Sequence, residues 1–234
     1  MNASLETTTK TEYQCEHCKR VFQREQSLMA HSCEPKRRFL ERNDIGVQLG
    51  LRAYQRFYQK LQGTDKLKDW KSFATSSYYR AFVKFGQYCQ STRAINVARF
   101  IDWLIDRNEK IDRWCSDRVY EQYLLDLVIV EAAEDAVARA LAAAEDWAEK
   151  TQNPSRDFLR YGNRNAVCHA IVSARVTAWV LYNTDSGAEF LSDLDAGQVA
   201  LIWPYINTDV WQQRLRDHAE QASRVRAALT QAGW

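Results

Sequence analysis

The sequence predicts an all-α protein, and three observations support this prediction. The chain has 234 residues but only three prolines (Pro35, Pro154 and Pro204), so helix breakers are rare. Apolar residues recur at helical spacing along most of the chain. No segment alternates apolar and polar residues over the length of a strand, and no Asn-Gly hairpin signal occurs. We therefore expect a multi-helix, bundle-like domain, with strands only in a short N-terminal hairpin.

Residues 13–33 hold four potential metal ligands. Cys15 and Cys18 are separated by two residues, and His31 and Cys33 follow the second thiol after a gap of twelve. A turn brings the first two thiols to one side of a tetrahedron, while a short helix and the chain just past it bring the other two ligands to the opposite side. Thiolates and imidazole suit zinc, and four protein ligands leave no position for a catalytic water. The spacing therefore predicts one structural zinc ion.

Up to residue 31, this segment resembles a zinc finger of the two-cysteine, two-histidine type. Tyr13, Phe22 and Leu28 stand where such fingers carry the apolar residues that pack around the metal. The resemblance implies a ββα fold for residues 13–35, which we call the finger. It also implies that His31 is a ligand at the end of the finger's helix.

After residue 31 the chain departs from that family, which places its last ligand four to six residues beyond the histidine. Those positions hold no ligand here, and Cys33, only two residues on, is the nearest one. A regular helix cannot present both side chains on one face, so we expect the helix to end near Ser32, with Pro35 as a stop. His17, inside the Cys-x-x-Cys turn, is predicted to be solvent-exposed rather than a ligand.

In DNA-reading fingers of this type, side chains at the start of the helix enter the major groove. The resemblance places Arg24 just before the helix, where it could contact a guanine edge, and Ser27 in the first turn. Nearby cations could contact phosphates without reading sequence; they are Lys19, Arg20, Lys36, Arg37, Arg38 and Arg42. Because one finger covers about three base pairs, we expect DNA binding with little sequence specificity.

Beyond the finger, apolar spacing predicts helices over residues 37–62, 69–88 (with a break near Ser76), 96–108 and 116–150. Asn96 and Ser116 are predicted N-caps. The last of these helices is the longest, apolar nearly all round at first and then rich in alanine, which is typical of the central helix of a bundle. After Pro154 the predicted helices are shorter and cover residues 157–161, 163–173, 178–182, 187–194, 195–206 and 209–232.

This pattern predicts four parts of the chain. They are a flexible N-terminus (1–12), the finger (13–35), a helical domain with a basic first half and a long acidic helix (36–153), and a C-terminal helical subdomain packed on it (154–234). The formal net charge of +2 conceals an asymmetry, because residues 36–90 carry a balance of +8 and residues 117–149 a balance of −7. Two interpretations remain open. The basic stretch continues the finger as a phosphate-binding surface, or both stretches are the solvated faces of helices packed on each other.

Aromatic residues are interleaved with cations in the basic stretch. Tyr54, Phe57, Tyr58, Tyr78 and Tyr79 alternate with Arg52, Arg56, Lys60 and Arg80. Such a pattern suits base stacking on a single strand, whereas aromatic residues at helical spacing also form ordinary cores. Both interpretations remain open at the level of sequence.

No arrangement of residues predicts catalysis. There is no Gly-rich phosphate loop, no His-Glu-x-x-His and no Gly-x-Ser-x-Gly. Cys168 and His169 are neighbours, and neighbours on a helix point about 100° apart, so they do not form a dyad. Glu131, Glu134 and Asp135 are predicted to form a solvated acidic face. We expect a non-enzyme, with a metal-dependent nuclease built from scattered carboxylates as the open alternative.

The remaining cysteines and the polar N-terminus predict a cytoplasmic location. Cys89, Cys115 and Cys168 are an odd set without regular spacing, which indicates buried thiols in a reducing compartment rather than disulfides. Residues 1–10 are polar and rich in threonine, and no apolar run is long enough to span a membrane. We therefore expect no signal peptide and no membrane partner.

Several segments resemble a largely uncharacterised group of zinc-finger proteins from tailed phages. They are residues 33–38, 46–50, 81–86, 111–114, 160–163, 179–183 and 231–234. The resemblance implies a phage product that acts in the host bacterial cytoplasm on nucleic acid or on replication or transcription proteins. The leading hypothesis is a DNA-binding accessory protein. The alternative is an adaptor that docks a host or phage protein through exposed apolar finger residues such as Met29.

Overall fold

A computed structural model describes residues 12–234, and the chain divides into two units, of which the first ends at Cys115 and the second covers Ser116–Trp234. The predicted flexible N-terminus lies outside the described residues except for residue 12. The protein is all-α with a two-stranded N-terminal sheet, as the sequence predicts. The predicted boundaries after residues 35 and 153 fall inside the first and second unit respectively, and they remain predictions.

The first unit begins with a ββα segment. Strands β1 (Tyr13–Gln14) and β2 (Val21–Phe22) pair in antiparallel register, with Tyr13 opposite Phe22. Helix α1 (Glu25–Met29) follows. The unit continues with five helices, which are α2 (Glu34–Leu40), α3 (Ile45–Gln62), α4 (Trp70–Thr75), α5 (Tyr79–Thr92) and α6 (Val97–Asp106).

The single helix predicted over residues 37–62 is wrong, because the structure divides it into α2, a 3-10 turn (Glu41–Asn43) and α3. Asp44 adopts an extended conformation between the turn and α3, which interrupts the helical hydrogen bonds. The break predicted near Ser76 is confirmed, since α4 ends there. Asn96 is confirmed as the N-cap of α6, where its side chain accepts a hydrogen bond from the Arg99 amide at 3.2 Å.

Helices α3 and α5 pack with their backbones in close approach. A Cβ placed on Gly86 of α5 would lie 1.9 Å from the carbonyl oxygen of Gly46 and 2.6 Å from the amide nitrogen of Gly50, both in α3. No side chain fits there, so glycine permits the approach. Beside this crossing lies an aromatic core that includes Phe82 and Trp114, whose rings meet edge to face with centroids 5.8 Å apart.

The second unit contains nine helices within the described part of the chain. They are α7 (Asp117–Val130), α8 (Ala133–Thr151), α9 (Phe158–Tyr161), α10 (Arg164–Val172), α11 (Ala178–Leu181), α12 (Asp185–Ser192), α13 (Ala196–Ile206), α14 (Thr208–Asp217) and α15 (Ala219–Gln231). Its core includes the rings of Trp179 and Trp211, which meet edge to face at 5.5 Å between centroids. Both tryptophans are almost completely buried.

Two helices predicted as continuous are divided in the second unit. The predicted helix over residues 116–150 breaks at Glu131 and Ala132, which are extended and separate α7 from α8. The predicted final helix breaks at His218, between α14 and α15. Ser116 stands at the predicted N-cap position of α7, although its side chain makes no capping hydrogen bond. None of the helices in residues 12–234 combines the length and apolar composition needed to cross a bilayer.

Candidate metal centre

The four predicted ligands lie together and form a cluster that could hold a metal ion. One ligand atom from each of Cys15, Cys18, His31 and Cys33 lies within 4.8 Å of the others, and Cys18 Sγ is 3.2 Å from His31 Nε2. In a tetrahedral site with metal–sulfur bonds of about 2.3 Å, neighbouring sulfurs stand about 3.8 Å apart. The donor set and its spacing therefore fit one tetrahedral ion. We call these four residues the metal centre.

The hairpin between β1 and β2 positions the first two thiols. The amide of Cys15 donates to the Arg20 carbonyl at 2.9 Å, and the amide of Lys19 donates to the Cys15 carbonyl at 2.9 Å. Lys19 takes a left-handed conformation with φ of 63°, which lets the chain reverse after Cys18. Backbone N–H groups of Cys18 and His17 directed at the thiolate lower the pKa of Cys15, which favours the form that binds a metal.

His31 lies outside the finger's helix, because that helix ends two residues before it. Helix α1 stops at Met29, so the predicted end near Ser32 is wrong. The His31 amide instead bonds to the Leu28 carbonyl three residues back, at 3.1 Å, as in a tightened 3-10 turn. The Phe22 ring packs against the imidazole with centroids 4.8 Å apart, and this contact orients the ligand.

Cys33, the fourth potential ligand, is also the N-cap of α2. Its backbone is extended (φ −136°, ψ 157°), and α2 begins at the next residue. Pro35 therefore stands in the first turn of a new helix, where a missing N–H costs nothing, and the prediction that it stops a helix is wrong. Lys36 in the same turn donates from Nζ to the His31 carbonyl at 3.3 Å. The metal centre and α2 are thus directly joined.

Helix α2 is in turn held by residues of α4 and α5. Glu34 receives hydrogen bonds from Arg38 and, at 3.0 and 3.1 Å, from Arg80 of α5. Arg38 also donates to the Ala74 carbonyl in α4, and its guanidinium lies 4.2 Å from the centre of the Tyr79 ring. These contacts fix the helix that carries the Cys33 ligand.

His17 is half-buried, so the prediction of a solvent-exposed residue is wrong. Its ring lies 4.8 Å from the Phe39 ring of α2. Sequence reasoning could not anticipate this contact, because it depends on α2 folding back beside the Cys-x-x-Cys turn. His17 is not among the residues whose ligand atoms converge in the metal centre.

The predicted nucleic-acid contacts separate into two groups. The first group is exposed and consists of Lys19, Arg20, Arg24, Ser27 and Arg37. Among the described residues, no carboxylate forms an ion pair with Lys19, Arg20 or Arg24. We call Lys19, Arg20 and Arg24 the finger cations.

The other predicted contacts are partly buried and engaged within the protein. Lys36 and Arg38 make the contacts given above, and Arg42 donates to the Phe39 carbonyl at 2.8 Å while its guanidinium covers the Phe39 ring. Arg37, although it is exposed, also lies 3.7 Å from Glu34. The side chain of Arg38 is only 17% exposed, so its charge is largely committed to α2.

Two of the five aromatic residues named in the basic stretch form core, and several of its cations are paired. Tyr54 and Tyr79 are buried, Phe57 and Tyr58 are half-buried, and Tyr78 is exposed. Arg56 donates to both carboxylate oxygens of Asp102, at 2.5 and 3.0 Å, and Lys60 pairs with Asp106 at 2.6 Å. The core interpretation therefore holds for Tyr54 and Tyr79.

The predicted acidic face includes a residue that the structure buries. Glu131 is 6% exposed, and both of its carboxylate oxygens accept hydrogen bonds from Arg139. Glu134 and Asp135 are exposed, as predicted. Cys168 is fully buried whereas its neighbour His169 is exposed, so the two do not act together.

Comparison with known proteins adds no family. No family model, no curated protein and no solved structure matches the chain. The resemblance to tailed-phage zinc-finger proteins therefore stays a prediction.

Proposed function

We propose that the metal centre binds one structural zinc ion and that the finger binds DNA with little sequence specificity. The supporting observation is the position of the exposed finger cations in and directly after the hairpin that carries Cys15 and Cys18. Loading the metal fixes the hairpin, which carries Lys19 and Arg20 and leads directly to Arg24. On this proposal the protein is an accessory factor rather than an enzyme.

Zinc suits the donor set better than other common divalent ions. Three thiols and one imidazole are soft or borderline ligands, which favour zinc over the oxygen-seeking cations calcium and magnesium. With all four positions filled by protein atoms, the ion has no site for substrate or water. Its role is then to stabilise a segment whose own apolar core is too small to fold alone.

The dimensions of α1 support low sequence specificity. Five residues give a helix about 7.5 Å long, which is one and a half turns. Only Arg24, as its N-cap, and Ser27, in its first turn, stand where base contacts are made in the fingers that this segment resembles. One arginine can discriminate one guanine by about 1–3 kcal/mol. Affinity then comes chiefly from phosphate contacts made by Lys19 and Arg20.

The test is fluorescence anisotropy of the full chain with labelled duplex DNA between about 50 and 200 mM salt. Two phosphate contacts, from Lys19 and Arg20, predict a slope of about −1.8 for log affinity against log salt. Replacing Lys19, Arg20 and Arg24 by glutamine should remove most of the binding. The matched control replaces Lys66, Lys71 and Lys84, three exposed lysines of the same unit, and should retain more of it.

Zinc removal provides the second arm of this experiment. A chelator should weaken DNA binding, and added zinc should restore it, because Lys19 and Arg20 lie in the hairpin and Arg24 directly follows it. Equal loss of affinity in both triple variants would mean that net charge alone attracts DNA. Absence of binding at low salt would reject the DNA proposal.

The alternative function is protein docking through the finger. Met29, at the end of α1, is 74% exposed, and Leu40, at the end of α2, is 66% exposed. Two large apolar side chains with this exposure, on the two helices that flank His31 and Cys33 in the chain, suit a partner protein. Binding of a partner that is insensitive to salt but lost on Met29→Ser would favour this alternative.

A further inference from the structure

A cavity of about 400 Å³ in the second unit is lined by three arginines. Arg156 belongs to the 3-10 turn before α9, Arg160 to α9 itself and Arg226 to α15. Among the described residues that line the cavity, Asp185 is the single acidic one. The lining therefore has an excess of positive charge that favours an anion. We call this space the arginine cavity.

Two of the three arginines have charge that no carboxylate offsets. Arg160 is bound by Glu189 through two hydrogen bonds of 2.6 and 2.9 Å. Arg226 donates only to the amide oxygen of Asn183, at 3.1 Å, a neutral acceptor that orients the guanidinium without neutralising it. Arg156 is exposed and has no ion pair or hydrogen bond to another side chain in the described part of the protein.

The N-terminal end of α12 also lines the arginine cavity, and the first amides of a helix favour an anion. The hydroxyls of Thr184 and Ser186 at this end already donate within the protein, to the Val180 carbonyl and to Thr184 Oγ1 respectively. Trp234 also lines the cavity, and the indole N–H of Trp234 is buried without an acceptor among the described residues. Because solvent does not reach this nitrogen, an oxyanion in the cavity would be held by the guanidinium groups rather than by the indole.

We propose that the arginine cavity binds a phosphate group, either as inorganic phosphate or as the phosphate of a small monoester. Both present the same tetrahedral oxyanion, which the planar forks of two guanidinium groups bind through charge-assisted hydrogen bonds. The volume is in the usual range for pockets that hold small molecules. This site lies in the second unit and does not depend on the metal centre or on DNA binding.

The test is isothermal titration calorimetry of the full chain with inorganic phosphate and with ribose 5-phosphate, at constant ionic strength. Replacing Arg156 and Arg226 together by glutamine should weaken the binding of either compound at least tenfold. Asp185→Asn should tighten binding severalfold, because it removes the one repulsive charge in the lining. Arg164→Gln is the matched control: this arginine pairs with Asp193 outside the cavity and should leave affinity unchanged.

The two compounds identify the source of the phosphate group. Tighter binding of ribose 5-phosphate assigns the cavity to a small monoester, and equal binding assigns it to phosphate itself. Absence of binding by either compound at about 10 mM, where even weak sites fill, would overturn the proposal. Unchanged affinity in the double arginine variant, with its circular dichroism intact, would also overturn it. Cys15→Ser should bind phosphate normally, which separates this site from the finger.

Discussion

Arg38 of α2 donates a hydrogen bond to the backbone carbonyl of Ala74 in α4, and α2 itself begins immediately after Cys33 of the metal centre. The metal centre is therefore joined to the helices of the first unit through one short helix. Metal binding and the position of α2 should then be energetically linked, because a fixed α2 holds Cys33 in its ligating conformation.

Replacing Arg38 by alanine should reduce both stability and zinc affinity. The change leaves the Ala74 carbonyl without its donor and removes a partner of Glu34, so we expect a loss of about 2 kcal/mol in the free energy of unfolding. Zinc affinity, measured by competition with a chromophoric chelator, should fall about tenfold, which corresponds to about 1.4 kcal/mol. Arg37→Ala, which alters an exposed neighbour, is the control; equal effects from both variants would refute the linkage.

Cys15→Ser should abolish stoichiometric zinc binding while most of the helical circular dichroism remains. The core around Phe82 and Trp114 is formed by residues outside the finger, so it does not require the metal. Zinc content by mass spectrometry of the native protein and a far-ultraviolet spectrum measure the two properties. Loss of helical signal across the whole chain would contradict this separation.

Gly86→Ala should destabilise the first unit by about 3 kcal/mol or more, because the new methyl group meets backbone atoms that cannot move aside. Urea unfolding measures the loss. Gly197→Ala is the control, because there the nearest atom to a new Cβ is a side-chain oxygen of Asp195, at 3.3 Å, rather than a backbone atom. This control should change stability by about 0.5 kcal/mol or less. A mild effect at Gly86 would show that α3 and α5 can separate at little cost.

Glu131→Ala should cost about 3–5 kcal/mol, because it leaves the charge of Arg139 largely buried without its partner. Glu134, on the same helix region, pairs with Arg224 at 3.0 Å, but both side chains are more than half exposed. Glu134→Ala should therefore cost about 1 kcal/mol or less. Denaturant unfolding of the two variants compares a buried with an exposed ion pair, and similar costs would argue against the buried geometry.

Stability should decline in alkaline solution because of Cys89. Burial, with a smaller effect of the Cys115 charge, raises the pKa of Cys89 from 9.0 to about 12. The thiol ionises first in the unfolded chain, so its contribution is complete below pH 9 and is lost between pH 9 and 12. The slope approaches about 1.4 kcal/mol per pH unit.

Cys89→Ala should flatten this alkaline decline, although it costs some packing at neutral pH. Comparing urea unfolding of the two proteins at several pH values cancels the titration of tyrosines and lysines. Identical slopes would show that Cys89 does not ionise differently in the folded and unfolded chains.

Local signals in the sequence were sufficient to predict some of the structural elements and the cluster of residues in the metal centre. The Cys-x-x-Cys turn and the short gap from His31 to Cys33 constrain the ligands whatever surrounds them, so their cluster was predictable. Asn96 could be identified as an N-cap for the same reason, since it bonds an amide three residues away. The end of α1 was not predictable, because a 3-10 turn at His31 depends on packing against Phe22.

The break between α7 and α8 was not predicted from the sequence, because it depends on contacts between residues that are distant along the chain. The sequence favours one helix through residues 116–150, and its composition contains no proline or glycine that would break it. The break at Glu131 is stabilised by Arg139 and by Arg214, whose guanidinium donates to the carbonyls of Val128, Ile129 and Glu131. Arg214 is more than 80 residues away along the chain, so no local pattern reveals its effect.

The hydrogen bonds from Arg214 to the carbonyls at the end of α7 have a consequence for the polypeptide while it is being synthesised. Until α14 has been synthesised, Arg214 is absent and cannot donate hydrogen bonds to the carbonyls at the end of α7. Those carbonyls can then find donors only if the helix continues into α8. A nascent chain that stops before residue 208 should therefore hold α7 and α8 as one rod, and arrival of α14 should bend it. The helix that the sequence favours would then exist as an early form of the protein, replaced once its last segments emerge.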